Sequence, residues 1–331
     1  MDMPWRKTVE VAIERATVNC VLPMEVADEF VAGRIKRPPK DDQLRSSRWI
    51  GSVHSLVLPS SILNLGLHPS TAMEVAQARG YNRWVTQAYL PQHPNCSAYI
   101  YLPFNDPLAC ESIIQEFAGV PGVAGFLVTS MRYQPIHDNK YMRVYAAIQD
   151  TGLPVAFHTA PFWQERHFEI FNQYLSAYAI GLPLYHIIHL INLVIHGIPE
   201  RFPKLRCVFL ESGLSMLPFV FYRLDSEYEK RPSEAPLLRK KPSEYIRDFY
   251  FTTHPLEQAE EHELEALFNM VGTDRLLYAS NYPRWDFDLP HRIQQLSFLS
   301  DDQKADILGR NALKVFHLSH IEEVSRWPNI S

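Results

Sequence analysis

Cysteine is scarce, with four residues at positions 20, 96, 110 and 207 and no CxxC pair among them. That excludes a disulfide framework and fits a reducing cytosol. Glycine is scarce as well, 13 residues against 25 prolines, so firm loop ends outnumber flexible linkers. Strong charge of either sign is missing. The net charge is -5, the pI is near 6.3, and the longest basic run is Arg239-Lys240-Lys241 with no interleaved aromatics. Nucleic acid is therefore not an expected partner. Residues 1–16 lack the uninterrupted apolar core of a signal peptide, because Arg6, Lys7, Glu10, Glu14 and Arg15 break it up. No GxGxxG or GxxxxGK[ST] follows any strand-like run, which removes support for a nucleotide-binding sheet. The most lipid-like window, residues 178–197, is interrupted by Pro183. Its His186, His189, Asn192 and His196 fall in one helical arc, opposite Ile187, Ile188, Ile191, Val194 and Ile195. This reads as an amphipathic surface helix with the histidines on its polar face, so no membrane partner is expected.

What is present is a rhythm. Of the 331 residues 46% are hydrophobic, and short apolar runs recur at 17–22, 52–58, 98–102, 123–129, 153–157, 206–211, 249–253 and 276–281. Most stop at proline or glycine, and helical patterns lie between them. Asp106 followed by Pro107 is a helix opening, an N-cap and a first-turn proline. Residues 300–316 carry a further helical pattern. Alternation of this kind argues for a parallel sheet covered by helices. At this length the simplest closure is a single (β/α)₈ TIM-like barrel over 1–331, with an inserted helical and loop segment near 24–95. A doubly wound open sheet is the alternative.

Polar residues follow directly on several of these runs: His158 after the fifth, Glu211 at the end of the sixth, His254 after the seventh and Asn281 at the end of the eighth. In a barrel the carboxyl ends of the strands carry the active site. Phe104, Phe157, Phe162, Trp163 and Trp285 lie near predicted strand ends and would form aromatic walls for a flat apolar substrate. His54 lies inside a strand and Cys207 reads as core.

Several segments in order resemble the amidohydrolase-related family. They include Gly152-Leu153-Pro154-Val155-Ala156-Phe157-His158, Glu200-Arg201-Phe202-Pro203-Lys204-Leu205 and Val208-Phe209-Leu210-Glu211-Ser212-Gly213. With them go Leu217-Pro218, Arg223-Leu224-Asp225, Phe251-Thr252-Thr253 and Tyr278-Ala279-Ser280-Asn281-Tyr282-Pro283-Arg284-Trp285-Asp286. This is the branch of the amidohydrolase superfamily that contains aminocarboxymuconate-semialdehyde decarboxylase, the resorcylate-type decarboxylases and several hydrolases. The resemblance implies a distorted (β/α)₈ barrel, often a homodimer, with one divalent metal. The family's ligand positions fall at Cys20, Leu22, His158 and Asn281, and the histidine that follows its aspartate is Arg284 here. Where the decarboxylases place a catalytic histidine after the sixth strand, this chain has Glu211.

Leucine cannot ligate, and a neutral carboxamide is a poor ligand for a divalent cation. The expectation is thus a cofactor-free enzyme in which Glu211, His158 and His254 act as acids and bases. Asn281, Arg284, Trp163, Phe104 and Trp285 would bind a small aromatic or carboxylate-bearing substrate, for hydrolysis or carbon–carbon cleavage. If a metal such as zinc is bound, His158, Glu211 and Cys20 are its donors. The alternative is a barrel that has lost catalysis and serves as the structural or regulatory partner of an active paralogue. A homodimer, or a hetero-oligomer with that paralogue, is expected.

Overall fold

The computed structural model describes residues 17–21 (backbone only), 54–59, 62–131, 135–159, 171, 173–282 and 286–318. Eight strands form one sheet in sequence order: β1 (Thr17–Val21), β2 (His54–Leu58), β3 (Cys96–Tyr101), β4 (Val123–Val128), β5 (Val155–Phe157), β6 (Cys207–Phe209), β7 (Tyr250–Thr252) and β8 (Leu276–Leu277). Each falls within or across an apolar run named above. Strands β2 to β8 are parallel neighbours, and helices follow them. These are α1 (Thr71–Trp84) before β3, α2 (Pro107–Phe117) before β4, α3 (Met142–Thr151) before β5, α4 (Tyr174–Ile195) before β6, α5 (Met216–Lys230) before β7 and α6 (Glu261–Val271) before β8. The architecture is a curled, barrel-like parallel sheet with helices packed against it. Asp106 caps α2 by accepting the Ala109 N–H at 3.0 Å, with Pro107 at the first helical position, as the sequence predicts.

Two features depart from eight parallel strands closing on themselves. β1 runs antiparallel to β2, with Thr17 opposite Leu58 and Val21 opposite His54. Among the described residues no ladder joins β8 to β1. The Tyr278 N–H, at the end of β8, instead donates to the Ile307 carbonyl at 2.9 Å. Ile307 belongs to a five-residue π-helical segment, Asp306–Arg310, inside the C-terminal helical run. That wide turn takes the edge bond which a closing strand would have made, so β8 stops after two residues.

The alternation along β5 and β6 sets the site. Phe157 and Phe209 stack on each other at 5.3 Å, and Phe209 on Phe251 at 5.5 Å. The other side of this column meets His189 and His186 of α4, at 5.9 and 5.7 Å between ring centroids. These phenylalanines therefore face the helix layer, and period-two alternation turns the next residues, His158 and Leu210, to the interior. Leu210 does line the barrel interior, beside Leu56, Thr252 and Leu277.

The same contacts invert the expected orientation of α4. Its buried side carries Gly181, Leu182, Tyr185, His186, His189, Leu190 and Leu193, while Ile180 is exposed and Ile187, Ile188 and Ile191 are half-buried. A neutral imidazole packs as a flat aromatic ring. Burial holds His189 down to about 4, and burial with the neighbouring His158 and His189 holds His186 well below the ordinary histidine value. Only His196 is exposed, stacked on His137 at 3.5 Å. Helix α4 is long and apolar enough to cross a bilayer by composition, but its histidine face lies on the sheet. Arg223 and Asp225 make structural contacts, to Glu227 at 3.4 Å and to Ser243 at 2.7 Å.

Candidate active site

His158 and Glu211 meet across the ends of β5 and β6. The His158 N–H continues the ladder to the Val128 carbonyl at 3.0 Å, and the Leu210 N–H continues it to the Phe157 carbonyl at 2.9 Å. Regular alternation would then send Glu211 outward, towards α4. Its φ of 55° breaks the pattern. A non-glycine residue in the left-handed region costs about 1–3 kcal/mol and persists only where its surroundings hold it there. The Glu211 N–H is fixed by the Thr252 hydroxyl at 2.8 Å. The kink brings the Glu211 carboxylate to 3.2 Å from His158 Nε2, with both side chains about 5% exposed or less.

The proton inventory of this pair follows from the histidine's other nitrogen. His158 Nδ1 lies 2.6 Å from the Thr159 carbonyl, and a carbonyl only accepts, so Nδ1 carries a hydrogen. Nε2 then has a lone pair unless the ring is an imidazolium. A lone pair facing a bare carboxylate in a dry site is repulsive. A proton on either Nε2 or Oε2 turns the pairing attractive, so the two side chains are placed to pass one between them.

The second half of the site is built by β7, β8 and the segment after β8. His254 Nδ1 is 2.9 Å from Asp288 Oδ2, and its Nε2 is 3.6 Å from Asp286 Oδ2. Asn281 Nδ2 lies 2.8 Å from His254 Nε2 and donates to Asp286 Oδ1 at 3.1 Å. Burial works against a charged His254, but Asp286, Asp288 and then Glu211 outweigh it and push its pKa up to about 9. The reverse balance holds Asp286 and Asp288 low: burial raises them, and hydrogen bonds to His254 more than compensate. Arg292 closes the far side on Asp288 and on the Leu256 carbonyl. With its pKa raised, His254 is placed to carry positive charge near neutral pH. Asn281 has φ 51°, a left-handed conformation that asparagine tolerates. Its Oδ1 is buried without a hydrogen-bond partner among the described residues.

The two halves share one space, since Glu211 contributes directly to the charge of His254. All four strand-end residues singled out from sequence therefore converge. Phe104 does not join them. It is 1% exposed and stacks on Tyr141 at 4.3 Å, in the core beside α3, because it follows β3 into a packed turn. Phe157 likewise faces the helix layer. Arg284, Trp163, Trp285, Phe162 and Leu22 lie outside the described residues, and Cys20 is described by its backbone only. Three participants were missed by sequence reasoning: Asp286, Asp288 and Tyr178, whose hydroxyl donates to Asp286 Oδ2 at 2.6 Å. The two aspartates follow β8 in a segment with no apolar pattern, and Tyr178 sits in a helix that the periodicity orients wrongly.

A parallel barrel with a buried acid/base cluster at its strand ends is an enzyme-type architecture of the amidohydrolase class. A family model described as amidohydrolase matches residues 69–318; the chain belongs to that family. Among solved structures it is similar to 5-carboxyvanillate decarboxylase from Sphingomonas paucimobilis, at 21% identity and TM-score 0.70, covering 87% of this chain and 85% of that one. It is also similar to 2,6-dihydroxybenzoate decarboxylase from Rhizobium, at 18% identity and TM-score 0.71, covering 85% and 89%. A third is dihydroxybenzoic acid decarboxylase from Polaromonas sp. JS666, with bound manganese and 2-nitroresorcinol, at 17% identity and TM-score 0.71, covering 88% and 90%.

Manganese in that last structure raises the question of whether the residues here suit a divalent cation. Among the described residues, no group of three or more histidine, cysteine, aspartate or glutamate side chains converges as a metal centre needs. Position 281 offers a neutral carboxamide whose nitrogen faces His254, and Glu211 stands 3.2 Å from His158 Nε2.

Proposed function

We propose that this protein is a metal-independent acid/base enzyme acting on a small aromatic, carboxylate-bearing substrate, a carbon–carbon lyase or a hydrolase. Family membership and the fold shared with aromatic-acid decarboxylases support the class. The observation that carries the mechanism is the buried His158–Glu211 pair, 3.2 Å apart. In the decarboxylation reading this pair protonates the ring carbon bearing the carboxylate. The carbon–carbon bond electrons return to the ring, carbon dioxide leaves, and water restores the proton. In the hydrolytic reading the pair, once deprotonated, takes a proton from the attacking water. In either case His254, held cationic by Asp286 and Asp288, stabilises negative charge developing on substrate oxygen. General acid–base catalysis of this kind contributes about 10²–10⁴-fold.

The test uses purified full-length protein with 2,6-dihydroxybenzoate, followed by carbon dioxide release, and with 4-nitrophenyl acetate, followed by absorbance. Turnover of at least one is expected to persist after exhaustive treatment with a strong chelator, and calorimetric titration with Mn²⁺ is expected to show no stoichiometric tight site. Loss of turnover on chelation, restored by one equivalent of Mn²⁺ or Zn²⁺, would refute the metal-independent reading and make Cys20 the first ligand to examine.

A further inference from the structure

Helix α4 spans the connection from β5 to β6, so it belongs by sequence to the half of the site that carries His158 and Glu211. Its Tyr178 nevertheless bonds to Asp286, which follows β8, across 108 residues of chain. From there close polar contacts run on to His254. Asp286 Oδ1 accepts from Asn281 Nδ2, that same nitrogen lies 2.8 Å from His254 Nε2, and His254 Nδ1 is held by Asp288. The phenol-to-carboxylate bond is short and charge-assisted, the stronger kind of side-chain hydrogen bond. The part of α4 that presents it is lightly held. Tyr174, Leu175 and Ile180 are more than half exposed, and Pro183 inside the helix removes one of the backbone bonds joining this part to the rest.

We infer that Tyr178 is a positioning residue of the site: it clasps the first two turns of α4 to the segment after β8, and through Asp286 it holds Asn281 and His254 in their working orientation. The inference rests on the acid/base reading for its kinetic consequence, but not for its structural one. Without the phenol, Asp286 keeps its charge and loses the bond that fixes its carboxylate plane. The Asn281 carboxamide then turns more freely against His254. Substrate affinity is little affected, because Tyr178 acts through another residue.

The experiment is a double-mutant cycle in the full-length protein with Tyr178→Phe, Asp286→Asn and both together. Hydrogen–deuterium exchange in Tyr178→Phe is expected to rise about tenfold in residues 174–182 while β5 and β6 stay protected. On the probe that turns over, kcat is expected to fall about tenfold with KM within about twofold. Asp286→Asn should show the same exchange phenotype, and adding Tyr178→Phe to it should change neither exchange nor kcat further, the signature of one shared interaction. Unchanged exchange in Tyr178→Phe overturns the clasp. Additive losses in the double variant, or a change confined to KM, overturn the route through Asp286. If Glu211→Gln leaves turnover intact the catalytic reading fails by itself, and the exchange measurements still decide the clasp.

Discussion

Glu211→Gln is expected to lower turnover by about 10²-fold or more while leaving the melting temperature nearly unchanged. The amide keeps the shape of the carboxylate, and its nitrogen can donate to the His158 Nε2 lone pair at the 3.2 Å separation seen for Oε2. The proton-transfer group is gone, because a carboxamide does not exchange a proton at useful rates. The backbone N–H of residue 211 keeps its bond to Thr252, so the left-handed kink that aims the side chain survives. A structural glutamate behaves the other way round. Turnover would stay normal while stability falls by about 1–3 kcal/mol from a poorly satisfied partner. That result would favour a barrel retained as a scaffold for an active paralogue. Turnover and thermal unfolding of the same preparation separate the two.

The second large effect is on stability and comes from a carboxyl outside the site. Glu74 in the first turn of α1 is fully buried. Its Oε2 accepts from Asn105 Nδ2 at 2.8 Å, and its Oε1 has no partner among the described residues. Burial pushes its pKa up to about 7, against the lowering effect of Asn105. A folded-state value above the ordinary one means that the folded protein prefers the protonated acid. The associated stability is complete below about pH 4.5 and is lost as pH rises through about 7. Glu74→Gln removes that dependence. At about 1.4 kcal/mol for each of roughly 2.5 pH units, the variant is expected to be more stable than the parent by up to about 3 kcal/mol at pH 8, with no difference left near pH 4.5. His254, raised to about 9, also loses stabilisation as pH rises through that value, but it does so in both chains and cancels from the comparison. Urea unfolding of the two proteins across pH 4.5–8 reads the difference directly, and parallel curves would mean that Glu74 does not titrate in this range.

These two carboxylates also mark what the sequence exposes and what it hides. Glu211, His158, His254 and Asn281 are legible because each follows a run of apolar residues that can only be a buried strand, and a barrel gathers strand ends in one place. Glu74 looks like an ordinary acidic first-turn residue; nothing local shows that residues 62–70 and Asn105 close over it. The histidines of α4 mislead for a related reason. Periodicity places polar against apolar, but the sheet beneath offers aromatic rings, against which a neutral imidazole packs. Strand direction is hidden too: the run at 17–22 has the same composition whether it pairs parallel or antiparallel. Asp286, Asp288 and Tyr178 are joined to the site only by contacts distant in sequence, which one chain read alone does not reveal.

The edge of β8 is closed by Tyr278, whose N–H donates to the Ile307 carbonyl, and the closure has a consequence in time. Asn311 reinforces it, donating through Nδ2 to the carbonyls of Thr273 and Leu276, each at 2.9 Å. A ribosome delivers residues 301–315 after every strand has emerged. Until they arrive, β8 has a bare edge, and Asn281, which hangs from it, has no fixed address. The half of the site with His158 and Glu211 can form on the nascent chain, whereas the half with His254 and Asn281 has to wait for the C-terminal turns. The site is therefore completed late, and a chain interrupted shortly before Ile307 would carry nearly all of the barrel without the bonds that secure the end of β8.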